Sequence, residues 1–190
     1  MRRCHNPGSN LQYELRRLTA VLNLIVSTAL TAIPAGCPPG VVSQLDDLYR
    51  WHLAEQNKRT ERTLESQKDA FMPTLYNKLE KAWSLNPWDD GAYVDFVVFS
   101  GTQVSTFGAE VSSCRQLHKG IIEADVAVRA GLRGRTSETP QQLTYRLMLD
   151  DGSWKVSDLI YNHRHGESST LSGILNNILR RAAEHRREVQ

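Results

Sequence analysis

The acid–base chemistry open to this chain rests on a few side chains. Asp158 and Tyr145 come first. A carboxylate can take a proton and a phenol can hold a developing oxyanion, the division of labour that an isomerase or dehydratase needs. Asp95, His52 and Tyr76 are of suitable types for the same roles, and Trp154 is a further pocket candidate. Their spacing matches no catalytic motif. His163-x-His165 offers two imidazoles. No third histidine or carboxylate follows at a useful spacing, so it reads as a solvated loop, and no metal or cofactor is expected. Gly131-Leu-Arg-Gly134-Arg lacks the strand-then-helix context of a phosphate cradle. Trp51, Trp83, Trp88 and Trp154 read as core or rim aromatics.

The element that must position Asp158 and Tyr145 is a hairpin over Gln141–Tyr161. Two alternating runs flank Asp151-Gly152, a pair suited to a two-residue turn with positive φ at both positions. A two-residue loop sets the register: Asp150 faces Ser153, Leu149 faces Trp154, Leu147 faces Val156, Tyr145 faces Asp158 and Leu143 faces Ile160. Side-chain alternation puts Tyr145 and Asp158 together on an otherwise apolar face. A buried carboxylate must find donors or stay protonated. Two readings follow. The pair is a structural hydrogen bond at the end of the core, or it is the polar floor of a pocket.

The remaining elements surround this hairpin. Val41, Val42, Leu45, Leu48, Tyr49 and His52 recur at helical spacing, which predicts a helix over about 41–57. Pro73 suits the first turn of another helix, with Met72, Leu75, Tyr76, Leu79, Ala82 and Trp83 along one face. Tyr93–Phe99 is a short strand or a packed loop. Thr106–His118 reads as a strand with Phe107, Ala109 and Val111 on one face. Lys119-Gly120 is a hairpin turn, and Ile122, Ala124, Val126 and Val128 then alternate with polar residues. Gly131–Pro140 and His163–Ser169 are loops. Leu171, Ile174, Leu175, Ile178 and Leu179 line a closing helix. Helices, then about four antiparallel strands, then a helix is an α+β order: N-terminal helices on a curved meander.

Charge is unevenly placed. Arg2, Arg3, Arg16 and Arg17 face only Glu14 in the first 36 residues, so the rest of a chain of formal charge +2 carries −1. A near-neutral body argues against a nucleic-acid partner. Leu18–Ala35 is a mostly apolar run preceded by Arg16-Arg17 and followed by small residues, the layout of an export signal. Residues 1–36 therefore read as a signal peptide or membrane anchor, 37–40 as a tether, 41–183 as the folded domain and 184–190 as a polar tail. Ile33-Pro34-Ala35-Gly36-Cys37 is similar to a bacterial lipobox except at Pro34, which makes Cys37 a lipidation candidate. The competing outcome is cleavage near Ala35, with a Cys37–Cys114 disulfide possible.

Helices followed by a curved meander resemble the cystatin-like cone fold of SnoaL and nuclear transport factor two, which includes ketosteroid isomerase and scytalone dehydratase. More closely, Val42–His52, Phe71-Met72-Pro73-Thr74-Leu75, Asp95–Gln103, Asp151–Tyr161 and Ser169-Thr170-Leu171 resemble a bacterial family of unknown function found in exported proteins and lipoproteins. Export signalling without a catalytic motif points to an exported, membrane-tethered, non-catalytic binding or accessory domain of the cell envelope, periplasmic or secreted. Its partner would be an envelope protein or a small molecule. The alternative is a small-molecule isomerase or dehydratase using Asp158 and Tyr145. The family brings no activity to transfer, and fold alone supplies none.

Overall fold

Two prolines begin the first two long helices. α1 (Pro39–Glu55) and α2 (Pro73–Trp83) each open on proline, whose missing N–H is one that a helix start leaves unpaired anyway. The computed structural model describes residues 34, 36–57, 64–162 and 168–190. Apart from Pro34 and Gly36, the export-signal stretch lies outside the described residues, as do His163 and His165. In α1 the buried stripe is Val41, Leu45, Leu48, Tyr49 and His52. In α2 it is Leu75, Tyr76, Leu79 and Ala82. A short 3₁₀ helix, Leu64–Ala70, lies between them.

The last helix, α3 (Leu171–Glu188), is capped by Thr170, whose hydroxyl accepts the Gly173 N–H at 3.1 Å. It continues past 183, so most of the expected polar tail is helix. An Arg180–Glu184 pair four residues apart supports it, and His185, Arg186 and Arg187 suit the negative end of its dipole.

The strands are β1 (Ser105–His118), β2 (Ile121–Leu132), β3 (Arg135–Thr136), β4 (Gln141–Asp150), β5 (Ser153–Asn162) and β6 (Ser168–Thr170). They form one open antiparallel sheet in the order β1-β2-β4-β5-β6, with β3 paired back onto β2. The fold is therefore α+β, as expected, with helices on a curved sheet. The sheet has six strands rather than four, because both flanking loops contribute a short strand. Tyr93–Phe99 is a packed loop, with an isolated Val97–Thr102 bridge outside the strands.

α1 packs on β1 and β5, and α2 and α3 pack on each other and on β5. Leu45, Leu48, Leu79, Leu147, Leu159 and Leu175 are fully buried between these layers. Each such side chain contributes on the order of 2 kcal/mol of transfer free energy.

The Asp-Gly hairpin forms as read. Asp151 and Gly152 have φ of 47° and 77°, and Leu147 pairs with Val156. One residue further the register shifts. Ser157 is inserted as a bulge, its hydroxyl donating to the Arg146 carbonyl at 3.0 Å. Tyr145 consequently pairs with Leu159, and Asp158 pairs with Arg146. The expected Tyr145–Asp158 and Leu143–Ile160 pairs do not exist. The physical reason is burial: the shift places Leu159 and Tyr161 in the core and takes a carboxylate out of it.

β1 departs from simple alternation in the same way. It is the edge strand and has three register shifts. Thr106 and Val111 point inward, whereas Phe107, expected on that face, is 37% exposed. Bulges bend an edge strand away from pairing with other chains.

Residues 37–40 are not a free tether. Pro38 is the N-cap of α1, Cys37 is buried, and its sulfur is bonded to Cys114 on β1.

Candidate functional site

The six pocket candidates are spread over the molecule. Tyr145 is fully buried, and its hydroxyl donates to the Tyr49 hydroxyl at 2.9 Å, which in turn donates to the Phe99 carbonyl at 2.9 Å. Burial pushes both phenols well above their ordinary pKa. Asp158 lies across the sheet from that pair. Its Oδ1 accepts the Leu159 N–H at 2.9 Å and the Ser172 N–H at 3.0 Å, so it serves the first turn of α3.

His52 is buried at the end of α1, its Nε2 3.0 Å from the Thr106 hydroxyl and its ring against Phe99. One turn on, the Gln56 amide pairs with the Thr106 backbone, accepting its N–H at 2.9 Å and donating to its carbonyl at 2.7 Å. Together these two residues tie α1 to the irregular start of β1. Tyr76 donates its hydroxyl to Glu80 at 2.5 Å with Glu65 at 3.2 Å, and the Glu80 hydrogen bond holds its pKa above the ordinary range. Asp95 is exposed; its backbone carbonyl accepts from the Gln103 amide. Trp154 is half-buried against the first turn of α1, over Gly40.

Cys37 is the seventh candidate, for lipidation. Its sulfur is taken by the disulfide to Cys114, with the Cα atoms 4.9 Å apart, and a sulfur in a disulfide cannot also carry a lipid thioether. The sequence left both outcomes open. The fold brings the disulfide partners together because Cys114, through the β1 irregularities, faces the residues that precede α1.

Two grooves among the described residues have no lining from these seven. The first, of about 230 Å³, lies where β4 begins and β5 ends. Its apolar lining is Phe96, Leu143, Tyr161 and Ile174. Its polar lining among the described residues is Ser100, Gln141, Gln142, Asn162 and Ser169. Tyr161 anchors the wall: its hydroxyl donates to the Val98 carbonyl at 2.9 Å, and its ring meets Phe96 edge-on at 5.7 Å. Gly101, at φ 64°, lies so close to that ring that a Cβ would stand 2.8 Å from it. The neighbouring Phe99 carbonyl is held by Tyr49. Two buried phenols thus fix consecutive carbonyls of the loop that borders the groove.

The second groove, of about 330 Å³, lies on the sheet face away from the helices. Register brings Arg115, Glu123, Arg146 and Asp158 into one row across four strands. Glu123 is buried at 6% exposure and is held by Arg115 at 2.5 Å and Arg146 at 2.7 Å. Burial alone would raise its pKa, but the hydrogen bonds from Arg146 and Arg115 outweigh that and leave it below the ordinary carboxyl value. In the next row Asp125 accepts the Ser113 and Thr144 hydroxyls, each at 2.8 Å. The charges here are satisfied internally.

Sequence reading missed Tyr49, Tyr161 and the Glu123 clamp. The bulges put Tyr161 inward and Arg115 opposite Glu123. The one signal was negative: Cys114-Arg115-Gln116-Leu117 does not alternate. Among the described residues, no cluster of three or more His, Cys, Asp or Glu could hold a metal ion. Among them also, no helix is long and apolar enough to cross a membrane.

No family model matches this chain, and comparison with characterised proteins and with solved structures found no match. Function must therefore be argued from the site itself.

Proposed function

We propose that this chain is an exported, non-catalytic binding module. Its site is the groove at the ends of β4 and β5. The observation that carries the binding half is the contrast between the two kinds of polar group. Tyr145, Asp158, His52 and Tyr76 are engaged in fixed structural contacts, whereas the Gln141 and Gln142 amides at the groove make no hydrogen bond among the described residues. Tyr145 pairs in register with Leu159 and Asp158 with Arg146, and each is held in its own structural contact, which favours binding over an isomerase or dehydratase.

The Cys37–Cys114 disulfide supports the export half, since such bonds persist in oxidising compartments. So does the apolar run after Arg16-Arg17. That run, rather than Cys37, is the segment that would tether the domain to a membrane or be removed on export.

The test is to express the full chain in a bacterium, separate the cytosolic and envelope fractions, and alkylate thiols before mass measurement. The expected result is an envelope or periplasmic chain in which Cys37 and Cys114 resist alkylation without reductant. A folded chain recovered in the cytosol with both thiols free would overturn the export reading.

A further inference from the structure

The export-signal run ends on the folded domain itself, beside an apolar rim at the turn end of the sheet. We propose that this rim, built on Leu149 and Trp154, lies on a lipid bilayer that holds the run as an anchor. This depends on the export reading above and adds that the run is retained and which face of the domain meets the membrane.

The first observation is where the run ends. It covers Leu18–Ala35, and Pro34 within it is already fixed, its carbonyl accepting the Cys37 N–H at 3.1 Å. Gly36, at φ 82°, lies by the Cys114 carbonyl, 3.5 Å from where a Cβ would stand. The Cys37 sulfur is bonded to Cys114. At the end of the run the chain is thus already tied to β1. A run of this length is close to the minimum that spans a hydrocarbon core, about 17 residues. Inserting it leaves little to spare and brings Cys37 to the depth of the headgroups.

The second is what surrounds that point. Trp154 is half-buried, its ring over Gly40 in the first turn of α1, just past Cys37. Leu149 pairs with Trp154 across the β4–β5 turn and is 48% exposed. Its N–H donates to the Gly120 carbonyl at 2.8 Å, which joins the β1–β2 and β4–β5 turns into one end. Pro39, exposed beside Gly40, extends the rim. A tryptophan at the edge of apolar surface suits the bilayer interface, where its ring is shared between hydrocarbon and water. Lys119 is exposed in the β1–β2 turn, and such a side chain lays its stem on apolar surface and keeps its ammonium among headgroups. Asp151 is exposed in the other turn, and Lys155 is paired with Asp150 at 2.6 Å. Lysines and aspartates are balanced across the two turns, which suits a zwitterionic surface.

The third is direction. The start of β4 and the end of β5 lie at the other end of the same hairpin, about 30 Å along the strands from the turn. The groove bordered by Gln141, Gln142 and Tyr161 is therefore far from the membrane, where a ligand reaches it. The rival contact is Trp88, 89% exposed in the loop that Asp90 ties to Arg186 of α3. The run does not end beside it, so nothing draws that loop to the bilayer.

The experiment is amide-resolved NMR of the full, oxidised chain in phosphatidylcholine nanodiscs, with and without a lipid that carries a gadolinium chelate on its headgroup. Relaxation by the chelate falls steeply with distance. The backbone amides of Gly40, Lys119 and Asp151 and the Trp154 indole N–H are expected to lose intensity, while the amides of Gln141 and Asn162 keep theirs. Leu149→Asp, at an exposed position, should restore the Lys119 and Asp151 signals. Losses that Leu149→Asp leaves unchanged would overturn the contact, because the anchor alone would then set the approach. Equal loss at both ends of the sheet, or loss at the Trp88 indole in place of Trp154, would overturn the choice of face. A chain that does not enter the nanodiscs, or a mature chain that lacks the run, would overturn the anchor. Each of these failures leaves the export reading standing, since that reading falls only to a cytosolic chain with free thiols.

Discussion

Asp158 Oδ1 accepts the Ser172 N–H at 3.0 Å, so a carboxylate from β5 ties the sheet to the first turn of α3. With Thr170 serving Gly173, two of the four unpaired N–H groups at that helix start are met by side chains. Asp158→Ala should cost about 1–2 kcal/mol in urea denaturation, as helix caps do. Asp158→Asn, which keeps an acceptor oxygen, should cost less. Equal losses for the two would show that the contact is not what the carboxylate contributes.

The Tyr145–Tyr49–Phe99 chain has a direction, and the direction ranks its variants. Tyr49→Phe leaves the Tyr145 hydroxyl without an acceptor and the Phe99 carbonyl without this donor, in a fully buried place. Its cost should be about 2 kcal/mol. Tyr145→Phe leaves Tyr49 still donating to Phe99, and its cost should be nearer 1 kcal/mol. Denaturant midpoints that reverse this order would mean that the hydroxyl protons point the other way.

Those same phenols, with Tyr161, make stability fall in alkali. Burial raises their folded pKa above the unfolded value of 10.0. The stability they contribute is fully present below that unfolded value and is lost as pH rises beyond it. Tyrosinate absorbance from these three should therefore appear together with loss of circular dichroism. Ionisation of all three in a chain that remains folded would contradict their burial.

Glu123 predicts the acid side. Its folded pKa lies below the ordinary carboxyl value of 4.5, so its contribution is present above that value and is lost as pH falls through the folded one. Glu123→Gln should remove part of the acid loss and cost about 1–2 kcal/mol at neutral pH. The cost stays below that of a fully buried pair because Arg115 is 74% exposed and can rehydrate. An unchanged acid limb of the pH–stability curve would rule out the clamp.

The disulfide closes a loop of 77 residues. In the chain-entropy account such a bridge contributes about 4.5 kcal/mol by restricting the unfolded chain. Cys37→Ser, Cys114→Ser and the double variant should therefore lose similar amounts, and reductant should destabilise the parent to the same level. A parent insensitive to reductant would show the thiols unpaired.

The chain's own residues determined the α+β class, the positions of α1, α2 and α3, and both hairpin turns. These are local matters. Helical stripes, a proline at each of two helix starts and an Asp-Gly pair that accepts positive φ act within a few residues of themselves. Four of the six strands were legible for the same reason. β3 and β6 were not, because strands of two and three residues have no pattern of their own and exist only through their partners.

Tertiary structure alone decided the faces. Alternation predicts a face only while the register holds, and one inserted residue reverses every position after it. Ser157 moved Asp158 away from Tyr145 and brought Tyr161 in, which dissolved the expected acid–base pair and built the wall of the groove. The irregularities of β1 brought Arg115 opposite Glu123 and turned Cys114 toward Cys37. Whether a bulge forms depends on what the helices above the sheet can bury, and that is settled between elements far apart in the chain. The sequence therefore names the residues available for chemistry, and packing across the layers selects which of them meet.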